Sequence, residues 1–297
     1  MDVRTATAER SVVAPQTQIG RTPQPRSFRP QNIALYLLLF AMSALFTLPF
    51  LWLVLTSLRP PDRVFDPGFF PTEIHLQNYS DVFRYAEVGT WFRNSLIISL
   101  LAVVSVVLSS SLIAYGFARL RFRGRNQIFG IVIATQLLPA AGTMVPTYLI
   151  WNQLGAVNTW WPLWAGNLFG SAFYIFMLRQ FLTTIPQELV ESARLDGASY
   201  FGIYWRVMLP LIKPSLVAVA VLEFQAKWND FVGPLIYLNR KDLYPMALGL
   251  QSFKTEFETQ WALLMAASVI FTIPMIALFF IFQRYFIEGI ATTGSKS

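Results

Sequence analysis

The sequence predicts an all-α, polytopic membrane protein of six transmembrane helices, and three observations carry that prediction. Hydrophobic residues make up 55% of the 297 and charged residues only 13%, whereas soluble chains carry about 25% charged and 45–50% apolar residues. Apolar stretches of membrane-crossing length recur along the chain, separated by polar breaks. Arg and Lys gather in alternate breaks, as they do when every second loop faces the cytoplasm.

The six stretches lie near 33–55, 95–117, 127–151, 162–185, 215–238 and 262–283. Each approaches the roughly 20 helical residues that a bilayer core requires. The third is interrupted by Gln136, Pro139 and Pro146, which mark either a kink near a solute path or a break in packing. Membrane helices tolerate proline where neighbouring groups satisfy the freed backbone.

With a cytoplasmic N-terminus, the inside segments hold fourteen Arg and Lys and the outside loops hold seven. The densest cluster, RLRFRGR at 119–125, sits in a short loop and is the strongest inside marker. Arg179 falls near the inner end of the fourth stretch, from which it can snorkel to the headgroups. Trp151, Trp160, Trp161 and Trp164 gather where the outer interface should lie. Both termini are therefore expected in the cytoplasm. Residues 1–31 are polar, Pro- and Arg-containing and aperiodic, which predicts a disordered basic tail ahead of a membrane domain at 32–297. A cleaved signal peptide fits poorly, because the apolar run at 33–55 is too long and no small-residue cleavage site follows it. Positive-inside bias accounts for the net charge of +7 without nucleic acid.

Composition removes several chemistries. With no cysteine, disulfides, thiolate metal sites and thiol nucleophiles are excluded. His75 is the one histidine, and it falls in the outer loop at about 57–94, read here as irregular and exposed from its prolines. The usual nucleophile–base pairs of a membrane-embedded enzyme are missing. No Gly-x-x-x-x-Gly-Lys-Ser/Thr pattern occurs, so ATP hydrolysis is not expected in this chain.

The longest inside loop, 186–214, reads as two short helices joined by a tight turn. Pro186 suits a first helical position, with Glu188 and Glu191 in the early turns favouring the helix dipole. Leu189 and Ala193 share one face, and Glu191 and Arg194 are neighbours on another. Gly197 can take the left-handed conformation that ends a helix. Ser199 can cap the next one, whose Phe201, Tyr204, Trp205 and Met208 form a broad apolar surface until Pro210 stops it.

This loop resembles the signature of ABC-importer permeases: Glu-Ala-Ala, Gly after three residues, then nine residues and Ile-x-Leu-Pro. Here it reads Glu191-Ser192-Ala193, Gly197, then Val207-Met208-Leu209-Pro210, with every interval kept. Asp196 matches the Asp-Gly of the sugar-importing branch. Similar pieces are WFRNSLIIS at 91–99, AYGFARLRFRGR at 114–125, WNDFVGPLIYL at 228–238 and QRYFIEGIATTGSKS at 283–297. From about residue 33 onward the chain looks like a maltose-type permease subunit of the oligosaccharide branch. The resemblance implies a type I importer fold, with 186–210 docking on an ATPase through Glu191, Ser192, Ala193, Asp196, Gly197, Leu209 and Pro210. It also implies a second permease subunit, an ATPase dimer that holds ATP and Mg²⁺, and an extracytoplasmic sugar-binding protein. No cofactor is expected on this chain. The piece at 228–238 would lie near the solute path and the C-terminal piece near the ATPase. Disaccharides, oligosaccharides and polyol phosphates all fit.

The fifth stretch raises a separate question. Glu223, Lys227 and Asp230 recur at i, i+4, i+7, which predicts that all three share one helical face, with Trp228 and Asn229 beside it. A charge near the midplane costs about 2.5–3.5 kcal/mol on insertion scales, so these groups should face protein or water. They either line the solute path, where sugars exchange hydrogen bonds and stack on an aromatic ring, or pair structurally. The same stripe could serve a proton- or sodium-coupled carrier, a reading that leaves the Glu191–Pro210 pattern without a purpose.

Overall fold

The computed structural model describes residues 30–254 and 259–294, with side chains placed for 33–254 and 259–283. The expected tail at 1–31 falls outside this range except for the start of α1 at Pro30. The architecture is helical. Among the described residues, three helices are each long and apolar enough to cross a bilayer alone, and three bent helix pairs account for up to three further crossings.

The single crossings are Ile33–Ser57 within α1 (Pro30–Ser57), α3 (Val88–Arg119) and Trp261–Gln283 within the last helix. Residues up to Pro49 and from Phe50 onward form two compact units. Within the second, the stretch after α1 is less irregular than its prolines suggest. Pro61–Arg63 is a 3-10 turn, α2 spans Gln77–Tyr85, and α3 begins at Val88, earlier than expected. The fully buried Asn78 explains the order, because its amide donates to the carbonyls of Ser57 and Arg59 at 2.8 Å each. Arg59, also buried, donates to the carbonyls of Val64, Asp66 and Gly68 and thereby folds the loop around its own guanidinium.

The third predicted stretch is two helices. α4 (Arg125–Ala134) and its 3-10 extension to Leu137 meet α5 (Ala140–Gln153) at 102°. Pro139 caps α5 and forces Leu138 into an extended conformation, so the chain cannot continue straight. Pro146 sits inside α5 without ending it. The fourth stretch is also broken: α6 (Trp161–Trp164) passes through a 3-10 segment, Ala165–Phe169, before α7 (Ala172–Thr184). α8 (Gln187–Leu195) then leaves at 77°. α9 (Tyr200–Ile203) continues through a π-helical turn, Tyr204–Met208, into α10 (Leu209–Leu211).

The fifth stretch differs most from its prediction. α11 (Lys213–Trp228) stops at Asn229, and a separate short helix, α12 (Val232–Tyr237), follows. The loop beyond contains α13 (Met246–Gly249) between two 3-10 turns, and α14 spans Trp261–Gly294 with Pro274 inside it. In the second unit α3 is the central element. Its buried face is built of small residues, among them Ser95, Ser99, Ala102, Ser105, Ser110 and Ala114, and it packs on α7 and α11. Small side chains let helix backbones approach where lipid offers no hydrophobic drive to association. Ser109 and Ser111 return their hydroxyls to carbonyls four residues back, so they add no unpaired donors.

Candidate functional site

The 186–214 segment is a bent element with a buried side and an open side. Pro186 is the N-cap of α8 rather than its first helical residue, and Ile185 before it is extended, as a residue preceding proline tends to be. Arg119 at the end of α3 fixes the approach. Its guanidinium donates to the Leu182 carbonyl, to Ile185 O at 2.7 Å and to Gln187 Oε1 at 2.9 Å. One cation thereby covers carbonyls left open at the C-terminus of α7.

Gly197 ends α8 with φ +82° and donates its N–H to Arg194 O at 3.0 Å. Residues with a Cβ adopt that conformation at a cost of about 1–2 kcal/mol. Ser199 caps α9, its hydroxyl accepting from Gly202 N–H at 3.1 Å. Both roles are those expected from the sequence. Pro210 does not stop the second helix. Lacking an N–H, it cannot bond the carbonyl four residues back, and the helix widens instead, with Leu209 N–H reaching Tyr204 O. The chain turns only at Ile212, where α10 and α11 meet at 78°.

The apolar surface divides in two. Val190, Ile203, Tyr204 and Met208 are buried and join Ala114, Tyr115, Leu178 and Leu182 in one core. Leu195 is 90% exposed, Phe201 63% and Trp205 54%. Phe201 and Trp205 stack at 6.2 Å and, with Ala193, Asp196, Gly197 and Arg206, line an open groove of about 600 Å³. Glu191 and Ser192 are exposed beside it. Arg194 lies over the Tyr200 ring at 5.0 Å, and no ion pair joins it to Glu191 among the described residues.

The charges of the fifth stretch are not one face. Asp230 lies past the end of α11 and accepts the N–H of Gly233 at 3.0 Å, which starts α12. Lys227 is half-buried in the last turn of α11, at the negative end of the helix dipole. Glu223 is buried, and its carboxylate accepts from Asn167 Nδ2 at 2.5 Å. No ion pair joins Glu223 to Lys227 among the described residues. Trp228 is fully buried, stacked between Phe224 and Phe271, with its indole N–H on Phe271 O at 3.0 Å. A ring so enclosed is core and cannot stack on a solute in this conformation. Asn229 is exposed and bonds back to Gln225 O. Arg179 packs over the Phe129 ring at 4.2 Å and donates its Nε–H to Phe117 O at 3.4 Å.

Three groups went unread in the sequence. Asn167 joins α3, its own 3-10 turn and α11, donating to Glu223 and Ala102 O while its carbonyl accepts from Ser109. An amide in an otherwise apolar stretch was the signal. Ser111, Tyr115 and Arg119 recur at i, i+4, i+8, and each reaches into the 182–204 segment: Ser111 and Tyr204 share a bond at 2.8 Å, and Tyr115 donates to Tyr200 O at 3.0 Å. At the other end of α3, Trp91, Asn94 and Ser95 hold the 241–246 backbone.

Residues 107–292 match the family described as "Binding-protein-dependent transport system inner membrane component". The chain belongs to that family. The permease is 35% identical to an arabinooligosaccharides transport system permease protein, AraQ, of Halalkalibacterium halodurans, over 84% of this chain and 90% of the relative. It is 32% identical to the AraQ protein of Bacillus subtilis over 91% of this chain and 97% of the relative. Its fold matches a crystal structure of a bacterial ABC transporter that imports the acidic polysaccharide alginate, with a TM-score of 0.78 at 24% identity, covering 89% of this chain and all of that one. The permease is thus a transport component of an ABC importer in the inner membrane. The ion-coupled carrier finds no support in this family, and the stripe it required is broken at Asn229.

Proposed function

We propose that the permease imports di- or oligosaccharides by alternating access, driven through its 186–210 segment by a separate ATPase dimer. The sugar class follows from the arabinooligosaccharide relatives, which match the chain over most of its length. The single observation that supports the coupling role is the open groove beside Gly197. Leu195, Phe201 and Trp205 are large, apolar and exposed on a short bent element that is otherwise anchored on every buried side. In this reading Glu191, Ser192 and Asp196 are the polar rim of an interface whose apolar centre is that groove. Gly197 sets the bend, while Leu209 and Pro210 carry motion through the π turn into α11.

The orientation follows the basic residues: both termini and the 186–214 segment lie in the cytoplasm, and the Trp160–Trp164 end lies outside. A sister permease completes the solute path, and an extracytoplasmic binding protein delivers the sugar. Glu223 and Asn167 hold the path wall in place, and Lys227, Asn229 and Asp230 are the polar groups left beside it. Trp228 supports that wall from behind. No ATP or metal binds this chain; both belong to the partner ATPase.

The test is driven uptake. Complex purified through a tag on this chain should hydrolyse ATP, and cells expressing it should lose uptake of labelled arabinooligosaccharides when ATP is depleted at a clamped proton gradient. Uptake that survives ATP depletion but stops with an ionophore alone would overturn the reading.

A further inference from the structure

We propose that the groove between Trp161, Trp164 and Arg240 is a sugar-binding platform on the extracytoplasmic face, which takes one end of a neutral oligosaccharide. The inference rests on the importer reading and its orientation. It adds a site apart from both the 186–210 segment and the charged stretch at 223–230.

Three neighbouring tryptophans are used in two ways. Trp160 packs against the cluster of Ile98, Leu163, Tyr237 and Leu238, and its indole N–H bonds Leu243 O at 3.0 Å. Trp161 is 53% exposed and lies outside that cluster, and Trp164 is half-buried. Their rings meet at 4.9 Å between centroids with planes 30° apart. Neither of these two indole N–H groups has an acceptor among the described residues. Such a pair offers an apolar face with polar edges.

The walls of the groove are preformed. Asn158 has φ +63°, a conformation that a residue with a Cβ keeps only where its surroundings enforce it. Its N–H donates to Tyr237 O at 2.8 Å, and its Oδ1 accepts the N–H groups of Asn239 at 3.0 Å and Arg240 at 3.2 Å. On the same turn the Thr159 hydroxyl donates to Ala156 O at 2.6 Å and accepts the Trp161 N–H at 3.3 Å. One turn thereby fixes both loops that border the groove, which holds about 390 Å³. That is near the small end of the roughly 300–1,000 Å³ of ligand sites, room for the end of an oligosaccharide and not for its length.

The groups present select the ligand. Arg240 is the charged residue of the lining, and Asp242 neutralises it through contacts of 2.5 and 3.1 Å. A ligand with a net charge gains little from a neutralised pair. Hydroxyls gain more, because they donate to the carboxylate and accept from the guanidinium, the Asn158 amide and the indole edges. The C–H groups on the face of a sugar ring pack against the negative face of an indole. A neutral, polyhydroxylated ring satisfies both demands. Tryptophans that only anchor a protein at the membrane interface also turn a polar edge to water. Anchoring does not account for a left-handed asparagine that ties two loops together, nor for a neutralised guanidinium lining the same groove.

The complete importer in nanodiscs, without its binding protein, is titrated with arabinotriose. Saturation-transfer NMR should show contact with the ring C–H protons of the trisaccharide. Trp161→Ala combined with Trp164→Ala should cut that signal by about fivefold or more, as expected for the loss of two aromatic contacts. Trp161→Tyr with Trp164→Tyr keeps both aromatic faces and should retain most of the signal. Where the alanine pair fails to assemble, Trp161→Gln at the more exposed ring takes its place with the same expectation. A signal of wild-type size in the alanine pair overturns the platform, as does an equal loss in the tyrosine pair. A lowered denaturation midpoint with the signal kept would make the rings membrane anchors and also overturns it. The chain has no cysteine, so Asn239→Cys at an exposed position gives a single thiol beside the groove. It should react with an impermeant maleimide added outside, and arabinotriose should slow that reaction. A thiol that does not react overturns the platform together with the orientation. If the wild type shows no contact while ATP-driven uptake of arabinooligosaccharides proceeds, the platform falls and the importer reading stands. If neither occurs, both fall.

Discussion

The two loops held by α3 are finished in opposite ways. The 240–254 loop buries its apolar residues in its own chain: Met246 and Phe253 are fully enclosed, and Leu248 nearly so. Its backbone is satisfied by α3 and by Trp160, whose indole donates to Leu243 O at 3.0 Å. The 186–210 segment is anchored as firmly from beneath but leaves Leu195, Phe201 and Trp205 uncovered. Both segments are polar loops interspersed with aromatics in sequence, and both are ordered by helix α3. The difference teaches where the molecule is incomplete. A chain that encloses Phe253 at one end has no difficulty packing aromatics, so exposing a stacked pair at the other is consistent with a surface meant for a partner.

That contrast can be broken most sharply at Gly197. Gly197→Pro demands φ near −65° where the backbone sits at +82°, and it deletes the N–H bonded to Arg194. Uptake should fall below detection while membrane insertion, read by the level of full-length protein in membranes, is kept. Unchanged uptake would mean that the bend is not used. Next come the exposed rings. Trp205→Ala should weaken retention of the ATPase on tagged permease by roughly tenfold or more, corresponding to an interface hot spot of about 2 kcal/mol. Because Trp205 is more than half exposed, the thermal stability of the isolated permease should barely change; a large drop would mark the ring as core and remove the contrast. The smallest effect concerns the closed end. Gly249→Ala forces a methyl into the Trp91 ring and should cost about 1–3 kcal/mol. The reading is a lower denaturation midpoint in detergent with ATPase retention intact, and an undisturbed midpoint would show that the 240–254 loop is looser than its packing suggests.

Much of the coupling segment was legible because its determinants are local. A glycine at a positive φ, a serine N-cap and acidic residues early in a helix act over three or four bonds of backbone, and Gly197, Ser199 and Glu188 stand where spacing alone put them. The division of the second helix was not legible. Tyr204 and Trp205 are adjacent aromatics with similar propensity, yet one hydroxyl meets Ser111 while the other ring faces outward. Periodicity could not separate them because a π turn, imposed by Pro210, shifted the register between them and Leu209.

The sequence by itself determined the class of the protein: composition and the length of the apolar runs require membrane helices, and the resemblance of the Glu191–Pro210 segment to a permease signature implies an importer subunit. Those properties are sums over many residues or intervals along one backbone, and no fold is needed to compute them. Only the tertiary structure decided the fate of the charged stretch at 223–230. An unbroken helix would have aligned Glu223, Lys227 and Asp230, but α11 ends at Trp228, whose ring is held by Phe224, Phe271 and Phe92 from three elements. Glu223 found its partner in Asn167, 56 residues away along the chain. Which buried polar group meets which depends on how helices pack in three dimensions, and hydrogen bonds between distant segments leave no period in the sequence.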